Sequence, residues 1–233
     1  MLPHADAAAR LHDAAITAAT AADLDDVGRL AYATAFFGTP AAEFFPAPSL
    51  FAELWVAPYL AAGHGLVARA RGEAIGYCLG VDRPGAYLWG LCRRSPHLIR
   101  AIAHERGRVP ALRYGLRALA SPRPTAPRRR FPAHLHLAVA AEARGSGLGR
   151  LLLVTYLEAA CVRGVRGVQL ATTEAHSAAV HLYRSEGFVV WEARESSLWR
   201  PWVGRPVRHL VMTLDVTAWS ARRESTPAAA APD

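Results

Sequence analysis

Two amino acids, lysine and asparagine, are missing from this chain of 233 residues. Without lysine the chain cannot contain the GxxxxGK[ST] loop with which many proteins hold nucleotide phosphates. Its three cysteines exclude a fully paired disulfide framework. No run of about eighteen apolar residues occurs, so we expect no membrane-spanning helix. The first residues, MLPHADAAAR, lack the pattern of a secretory signal, and we therefore expect a cytoplasmic protein.

The formal charge of the chain is strongly positive, at +8, from 27 basic and 19 acidic residues. Every basic residue in that count is arginine. Arginine and alanine have G/C-rich codons, whereas lysine and asparagine have A/T-rich ones, so a GC-rich genome accounts for this composition. The charge attracts any polyanion at long range, but it is weak support for nucleic-acid binding. Binding through Arg128-Arg129-Arg130 stays as a minor alternative.

Hydrophobic periodicity predicts an alternation of strands and helices in a chain that can bury a sizeable core. Thr20-Ala-Ala-Asp23 is typical of a capping box before the first helix. The order of elements implies at least one parallel strand–helix–strand crossover. Predicted strands cover 14–19, 64–70, 74–81, 133–139, 167–171, 188–193 and 207–215, and predicted helices cover 24–34, 49–60, 147–162 and 176–186. We expect Pro58 to end or kink the helix over 49–60.

Segments at both ends of the chain are predicted to be flexible, over residues 1–13 and 218–233, which leaves one domain over 14–217. Inside this domain, residues from about 83 to 131 separate two predicted strands. They show helical patterning near 97–104 and 111–120 and end in a Pro/Arg-rich run. We interpret so long a segment as a helical insertion that covers or shapes a site.

The run Arg144-Gly-Ser-Gly-Leu-Gly-Arg150 lies between a predicted strand and a predicted helix. Glycines let the backbone turn sharply and approach a ligand closely. Free amides at a helix start, together with the helix dipole, favour phosphate, and the two arginines could add charge-assisted contacts. A dinucleotide fingerprint, GxGxxG, is excluded because Arg150 occupies its last position. A glycine-rich turn without a ligand stays as the alternative.

Two motifs in this chain resemble the signatures of the GNAT superfamily of N-acetyltransferases. Arg144-x-x-Gly147-x-Gly149 resembles the (Q/R)xxGxG/A signature, and the segment from Tyr183 to Phe188, YRSEGF, resembles the Yxx(x)GF signature. Over residues 14–215 the order of the predicted strands and helices resembles that of the superfamily, and the insertion is the main departure. It implies an α/β fold with a mixed, mostly antiparallel twisted sheet, flanking helices and a V-shaped splay between the fourth and fifth strands.

The resemblance implies an acyltransferase that moves an acetyl group from acetyl-CoA directly to a primary amine in a ternary complex. The amine would be a small molecule or a peptide, no membrane is involved, and a homodimer would be in keeping with the superfamily. A different acyl-CoA, or a non-catalytic CoA-binding module, stays as an alternative. The implied cofactor-binding residues are Leu137, Ala138, Val139, Arg144, Gly145, Ser146, Gly147, Leu148, Gly149, Arg150, His176 and Ala179.

The roles within that set differ. Backbone amides of residues 145–150 would hold the pyrophosphate, and the strand 137–139 would pair with the pantetheine arm and stabilise an oxyanion. His176 stands where many members have asparagine, and we expect it to donate to a pantetheine carbonyl. Trp199 and Trp202 could form a substrate wall, or could pin a loop by burial.

Tyr183 is implied as the proton donor to the departing thiolate, with a purely structural core aromatic as the alternative. His134 and His136 are two residues apart, so both face the same side of a strand. They are the candidate general bases, since imidazole titrates near neutral pH. Glu142 and Glu174 are the alternative bases. We expect no metal site at the histidine pair, because no local third ligand accompanies it.

Overall fold

The computed structural model describes residues 14–104, 108–121 and 125–225. One seven-stranded sheet has the order β1-β2-β3-β4-β5-β7-β6. In the described residues β4 and β5 pair in parallel and the other neighbours pair antiparallel, which confirms the predicted mixed sheet. The strands are β1 (Ala15–Ala18), β2 (His64–Ala70), β3 (Glu73–Val81), β4 (Ala133–Val139), β5 (Gly167–Thr173), β6 (Val189–Ser196) and β7 (Val207–Asp215).

Helices flank this sheet on both faces. Residues 49–60, predicted as one helix, form two helices because Val56 interrupts them and Pro58, in the first turn of the second, has no amide to continue the first. In the part of the chain that the structure describes, the helices are α1 (Leu24–Thr34), α2 (Pro48–Trp55), α3 (Ala57–Ala62), α4 (Ala86–Arg93), α5 (Ser95–His104), α6 (Arg108–Ala120), α7 (Leu148–Val162), α8 (Ser177–Ser185), α9 (Arg200–Val203) and α10 (Val216–Ser225).

The C-terminal segment corrects one prediction. Residues 216–225 form α10, so a flexible tail beginning at residue 218 is wrong. The Asp215 carboxylate accepts the amide of Ala218 at 3.0 Å, and Trp219 is buried in the core. Burial of Trp219 thus stabilises a helix that the polar sequence around it does not predict. The predicted flexible ends, 1–13 and 226–233, lie outside the described residues.

The entry to the first helix is capped as the sequence predicts. The Thr20 amide donates to the Asp23 carboxylate at 2.6 Å, and the Asp23 carboxylate also accepts Arg69 of β2 at 2.6 Å. Burial works against ionisation of Asp23, but these hydrogen bonds and the Arg69 charge outweigh it and lower its pKa. The capping box therefore fixes the start of α1 against the sheet.

The two faces of the central strands have different neighbours. A Cβ at Gly80 would lie 2.0 Å from the Tyr156 hydroxyl, and one at Gly76 would lie 2.9 Å from Leu152, so this face of β3 packs tightly on α7. Side chains alternate along a strand, so Tyr77 and Leu79 point to the opposite face, on the side of α1. That second face carries the cavity described below.

The predicted splay between the fourth and fifth strands is confirmed. Pairing between β4 and β5 is confined to Ala133 with Val168 and His134 with Gln169. Beyond His134 the two strands separate, although β4 continues to Val139 and stays paired with β3. The separation leaves one edge of β4 without a neighbouring strand over its last residues.

The insertion folds into three helices, α4 to α6, and both of its ends are fixed. Gly90 of α4 packs so closely on α3 that a Cβ there would lie 2.3 Å from the Pro58 carbonyl. At the other end, the buried Gln169 side chain accepts the Ala126 amide at 3.0 Å and donates to the Phe131 carbonyl at 2.6 Å. No described helix has both the length and the apolar character needed to cross a bilayer.

Candidate functional site

A cavity of about 520 Å³ opens where β4 and β5 separate. Glu142 and Glu174, the alternative bases, are both exposed and do not line it. Residues of the insertion, including Tyr87 and Tyr114, form part of its wall, in keeping with the predicted covering role. The cavity brings together these predicted site residues: His134, His136, Leu137, Ala138, His176, Ala179 and Tyr183.

The glycine-rich corner between β4 and α7 is open. Gly145 and Gly147 adopt φ values of 74° and 87°, and a Cβ on either would meet no atom within 4 Å. Gly147 is the residue before the first turn of α7. Within the described chain, the backbone amides of Gly145, Ser146, Gly147, Gly149 and Arg150 donate to no other residue. An anion placed here would meet several free donors and the positive end of a helix dipole.

Two other members of this corner are engaged locally. The Leu148 amide lies 3.4 Å from the Ser146 hydroxyl, which itself donates to the Ala143 carbonyl at 2.6 Å. The Leu148 side chain is fully buried in the core. Leu148 and the Ser146 hydroxyl thus shape the corner, while the free amides beside them face outward.

Both arginines of the motif have partners within the protein. Arg144 donates to the Val139 carbonyl at 3.3 Å and to the Gly38 carbonyl at 2.8 Å. Arg150 donates from Nε to Glu186 at 2.6 Å; the Glu186 side chain is 3% exposed and the Arg150 side chain is 64% exposed. These contacts tie the corner to a loop and to the end of α8, and the phosphate contacts of the two guanidiniums stay a prediction.

The free edge of β4 carries two unpaired amides. Ala140, just after the strand, donates its amide to the Ile75 carbonyl of β3 at 2.9 Å. Backbone groups alternate between the two edges of a strand, so the amides of Leu137 and Val139 point away from β3 and into the splay. An extended ligand could therefore pair with this edge as an added strand would.

Each histidine of β4 has a tyrosine partner that sequence reasoning missed. The Tyr77 hydroxyl lies 3.0 Å from Nδ1 of His136, and the Tyr59 hydroxyl lies 2.7 Å from Nδ1 of His134. The rings in each pair are nearly parallel, at 22°. Tyr77 comes from β3 and Tyr59 from α3, so only the strand register and the packing of the helices bring the pairs together. His136 itself is exposed to the cavity.

Tyr183 lies in α8 with 5% of its surface exposed, and it lines the cavity. Burial raises the pKa of its hydroxyl above the ordinary value, and the neighbouring Cys78 adds to this effect. The side chain therefore stays protonated and able to donate. Its ring packs at 5.6 Å from that of Phe188, whereas its hydroxyl has no hydrogen-bond partner among the described residues.

His176 caps the N-terminus of α8 and also lines the cavity. Burial lowers its pKa, with a smaller contribution from Arg144, although a hydrogen bond to the Phe37 carbonyl acts in the opposite direction. Its ring also contacts that of Phe37, with the centroids 5.6 Å apart. The expectation that His176 donates to a pantetheine carbonyl stays a prediction.

The tryptophans of the β6–β7 connection are held by hydrogen bonds, and a role as a substrate wall stays a prediction. Trp199 lines the cavity and donates its indole N–H to the buried His209 at 3.2 Å. Trp202 donates to the Glu43 carbonyl at 3.1 Å and so anchors the loop. In the ranges described, no group of three or more metal-ligating side chains is placed to hold a metal ion.

Comparison with known proteins bears on the whole arrangement. A family model described as an acetyltransferase (GNAT) domain matches residues 115–190, which include β4, the glycine corner, α8 and Tyr183. A comparison with curated protein sequences found no match.

SsHAT is 22% identical, with a TM-score of 0.63 over 88% of this chain and 98% of that one. The ribosomal-protein-S18-alanine N-acetyltransferase of Escherichia coli is 16% identical, with a TM-score of 0.54 over 87% and 94%. A GNAT-superfamily phosphinothricin acetyltransferase of Sinorhizobium meliloti, solved with AcCoA, is 20% identical, with a TM-score of 0.55 over 87% and 88%. Such identities show the fold. Residues 115–190 thus match a GNAT acetyltransferase domain model, and the chain shares the fold of these acetyltransferase structures.

Proposed function

We propose that this protein is an acetyltransferase that moves an acetyl group from acetyl-CoA to a primary amine by direct attack, in the cytoplasm. The family match supports an acyltransferase, and the phosphinothricin acetyltransferase with a similar fold was solved with AcCoA. Acetyl-CoA supplies an activated thioester. The following steps assign the residues that would bind it and move protons around it.

The glycine corner is the proposed diphosphate site. Five free amides, at Gly145, Ser146, Gly147, Gly149 and Arg150, converge at the start of α7. The open space at Gly145 and Gly147 leaves room for phosphate oxygens against the backbone. A diphosphate fits this corner without a lysine, because backbone amides and the helix dipole supply the positive potential.

The free edge of β4 is the proposed pantetheine site. The amides of Leu137 and Val139 point into the splay, so they can pair with the amide groups of an extended arm. Ala138 and Ala179 line the same cavity, and neither has a side chain large enough to block it. An amide on this edge also stabilises negative charge that develops on the acyl oxygen during attack.

His136 is the proposed general base, because it is exposed to the cavity beyond the closed end of the splay. The amine nitrogen must be neutral to attack the acyl carbon, and Nε2 of His136 can take its proton while Nδ1 stays bonded to Tyr77. As the carbon–sulfur bond breaks, the Tyr183 hydroxyl donates a proton to the sulfur. His134 lies where β4 and β5 still pair, and we assign it a supporting role.

One observation carries this proposal: the open, amide-lined corner and the splayed, histidine-bearing strand belong to the same β4–α7 unit. Acetyl-CoA at about 100 times its Kd should stabilise the protein by roughly 2.7 kcal/mol, measured as a thermal shift. A thiol-release assay with a panel of primary amines then measures transfer. No stabilisation by millimolar acetyl-CoA or CoA would contradict the proposal. Stabilisation by CoA without transfer to any amine would favour a binding module.

A further inference from the structure

The charged groups that line the cavity are of one sign. Arg83 and Arg128 line it, and among the described lining residues there is no aspartate or glutamate. Both residues are exposed, and neither guanidinium has an ion-pair or hydrogen-bond partner in the part of the chain that the structure describes. The other arginines near the site, Arg144 and Arg150, are both engaged. Two unpaired guanidiniums beside the cavity leave an anion-binding capacity that the protein itself does not use.

Both arginines are attached to segments that the fold holds in place. Arg83 follows the end of β3, next to Asp82, whose carboxylate pairs with Arg163 of the α7 end at 2.7 Å. Arg128 lies in the turn in which the Phe131 amide donates to the Pro127 carbonyl at 2.9 Å. The Gln169 side chain then fixes this turn to β5. Both arginines thus line the same cavity from segments that the fold fixes.

This position is at the wrong end of β4 for the diphosphate. Val81, at the end of β3, pairs with His134, and Arg128 lies in the turn that precedes β4, five residues before Ala133. The glycine corner follows the last residue of β4, Val139, and a strand of seven residues is about 20 Å long. His136 lies between the two ends. The arginines are thus placed for the acceptor rather than for the phosphates of the donor.

Aromatic side chains form part of the remaining wall. Such side chains accommodate an apolar or aromatic body and exclude water from it. None of the described lining residues carries a carboxylate that could attract a second positive charge, so a basic peptide would be repelled by the arginines. Besides Tyr183 and the histidines, the aromatic residues that line the cavity are Phe44, Phe51, Trp55, Tyr59, Tyr87, Tyr114 and Trp199.

We infer that the acceptor is a small amine that carries a carboxylate or similar anionic group on an apolar body. The anionic group pairs with Arg83 and Arg128, and the body lies against the aromatic wall. The amine is thereby directed along β4 toward His136. This inference rests on the proposed acetyl transfer and specifies its acceptor.

Matched pairs of acceptors test the inference. Each common L-amino acid is compared with the amine that lacks its carboxylate, such as phenylalanine with 2-phenylethylamine, and a lysine-rich peptide is included. We expect at least one carboxylate-bearing amine with a kcat/KM at least tenfold above that of its decarboxylated partner. Equal or faster acetylation of the decarboxylated amines, or of the peptide, overturns the inference while leaving acetyl transfer intact.

Substituting the arginines one at a time distinguishes a role in acceptor binding from a general effect of positive charge. Arg83→Gln and Arg128→Gln should each raise KM for the preferred acceptor about tenfold and leave kcat and the KM for acetyl-CoA nearly unchanged. Arg129→Gln is the matched control, because Arg129 is an exposed neighbour that does not line this cavity. An equal effect of all three substitutions overturns the inference. Loss of acetyl-CoA stabilisation in the unsubstituted protein would instead count against the proposed function.

Discussion

The Tyr77 hydroxyl lies 3.0 Å from Nδ1 of His136, and the two rings stack with their centroids 5.7 Å apart. Tyr77 is fully buried in β3, and burial raises the pKa of its hydroxyl well above the ordinary value. The phenol therefore stays neutral and can accept an N–H from Nδ1. In that tautomer Nε2 is unprotonated, which is the state a general base requires.

Replacing this histidine should remove the proton acceptor. We expect His136→Gln to lower kcat by roughly 10²-fold, with little change in acetyl-CoA affinity. The acid limb of the pH–rate profile should disappear in the same variant, because a protonated imidazole cannot accept the amine proton. Steady-state kinetics from pH 6 to pH 9 measures both effects.

His134→Gln is the matched control, since His134 has an equivalent tyrosine partner at the closed end of the splay. It should retain the acid limb and most of the activity. If His134→Gln lost the acid limb and His136→Gln kept it, the assignment of the base would be reversed.

Tyr183→Phe removes the hydroxyl without changing the ring that packs on Phe188. Because that hydroxyl has no partner among the described side chains, its loss should cost little stability. We expect kcat to fall by roughly 10²-fold and the Kd of CoA to stay within threefold. Calorimetric titration and steady-state rates measure these quantities. Unchanged turnover would show that Tyr183 is a core aromatic only.

A carboxylate in the glycine corner should repel a diphosphate. Gly145→Asp is expected to weaken acetyl-CoA binding at least tenfold, which is about 1.4 kcal/mol. Gly164→Asp is the control, because Gly164 also has a positive φ, of 78°, and no atom within 4 Å of an added Cβ. Both variants should lose about 1 kcal/mol of stability from the left-handed backbone. Equal acetyl-CoA affinities in the two variants would contradict a phosphate site at residue 145.

Arg150 should contribute to stability more than to ligand binding. Its partner Glu186 is buried, so Arg150→Gln leaves a carboxylate without its cation and should cost about 1–2 kcal/mol of unfolding free energy. We expect the Kd of acetyl-CoA to change less than threefold. Glu186→Gln and the double variant complete a double-mutant cycle. We expect the two single losses of unfolding free energy not to add up to the loss in the double variant. A large loss of acetyl-CoA affinity in Arg150→Gln would restore the phosphate contact predicted from sequence.

His176 should make folding stability depend on pH. Its pKa is lowered from the ordinary 6.5 by burial, so below pH 6.5 the unfolded chain binds a proton that the folded chain resists. The free energy of unfolding therefore falls as pH decreases from 6.5 toward the lowered pKa. Above pH 6.5 this contribution is constant. Urea unfolding of His176→Gln should lack this component, whereas His181→Gln, an exposed histidine of α8, should keep it. An identical slope in wild type and His176→Gln would contradict the burial argument.

Most of the strands along the chain followed from local patterns. The sequence predicted β2 and β4 with their observed bounds, His64–Ala70 and Ala133–Val139. Helix α10 was missed because its stability depends on the burial of Trp219 rather than on periodicity. The break between α2 and α3 was expected, because Pro58 has no amide to continue the first helix.

The candidate site was predicted unevenly for a similar reason. Motif spacing located the corner at Gly145 and Gly147 and placed Tyr183 by the splay. Side-chain partners distant in sequence could not be read in the same way. The pairing of Arg150 with Glu186, and of His136 with Tyr77, depends on helix packing and strand register. The proline–arginine run gave Arg128 no distinct role until the Gln169 contacts placed its turn beside β4.

The central claim is that the glycine corner holds a diphosphate and thereby positions a thioester along β4. Calorimetric titration with acetyl-CoA and with acetyl-pantetheine, which lacks the diphosphate, tests it most directly. The account predicts that acetyl-CoA binds at least 100-fold more tightly, a difference of about 2.7 kcal/mol. Equal affinity for the two compounds, or no binding of acetyl-CoA, would contradict it.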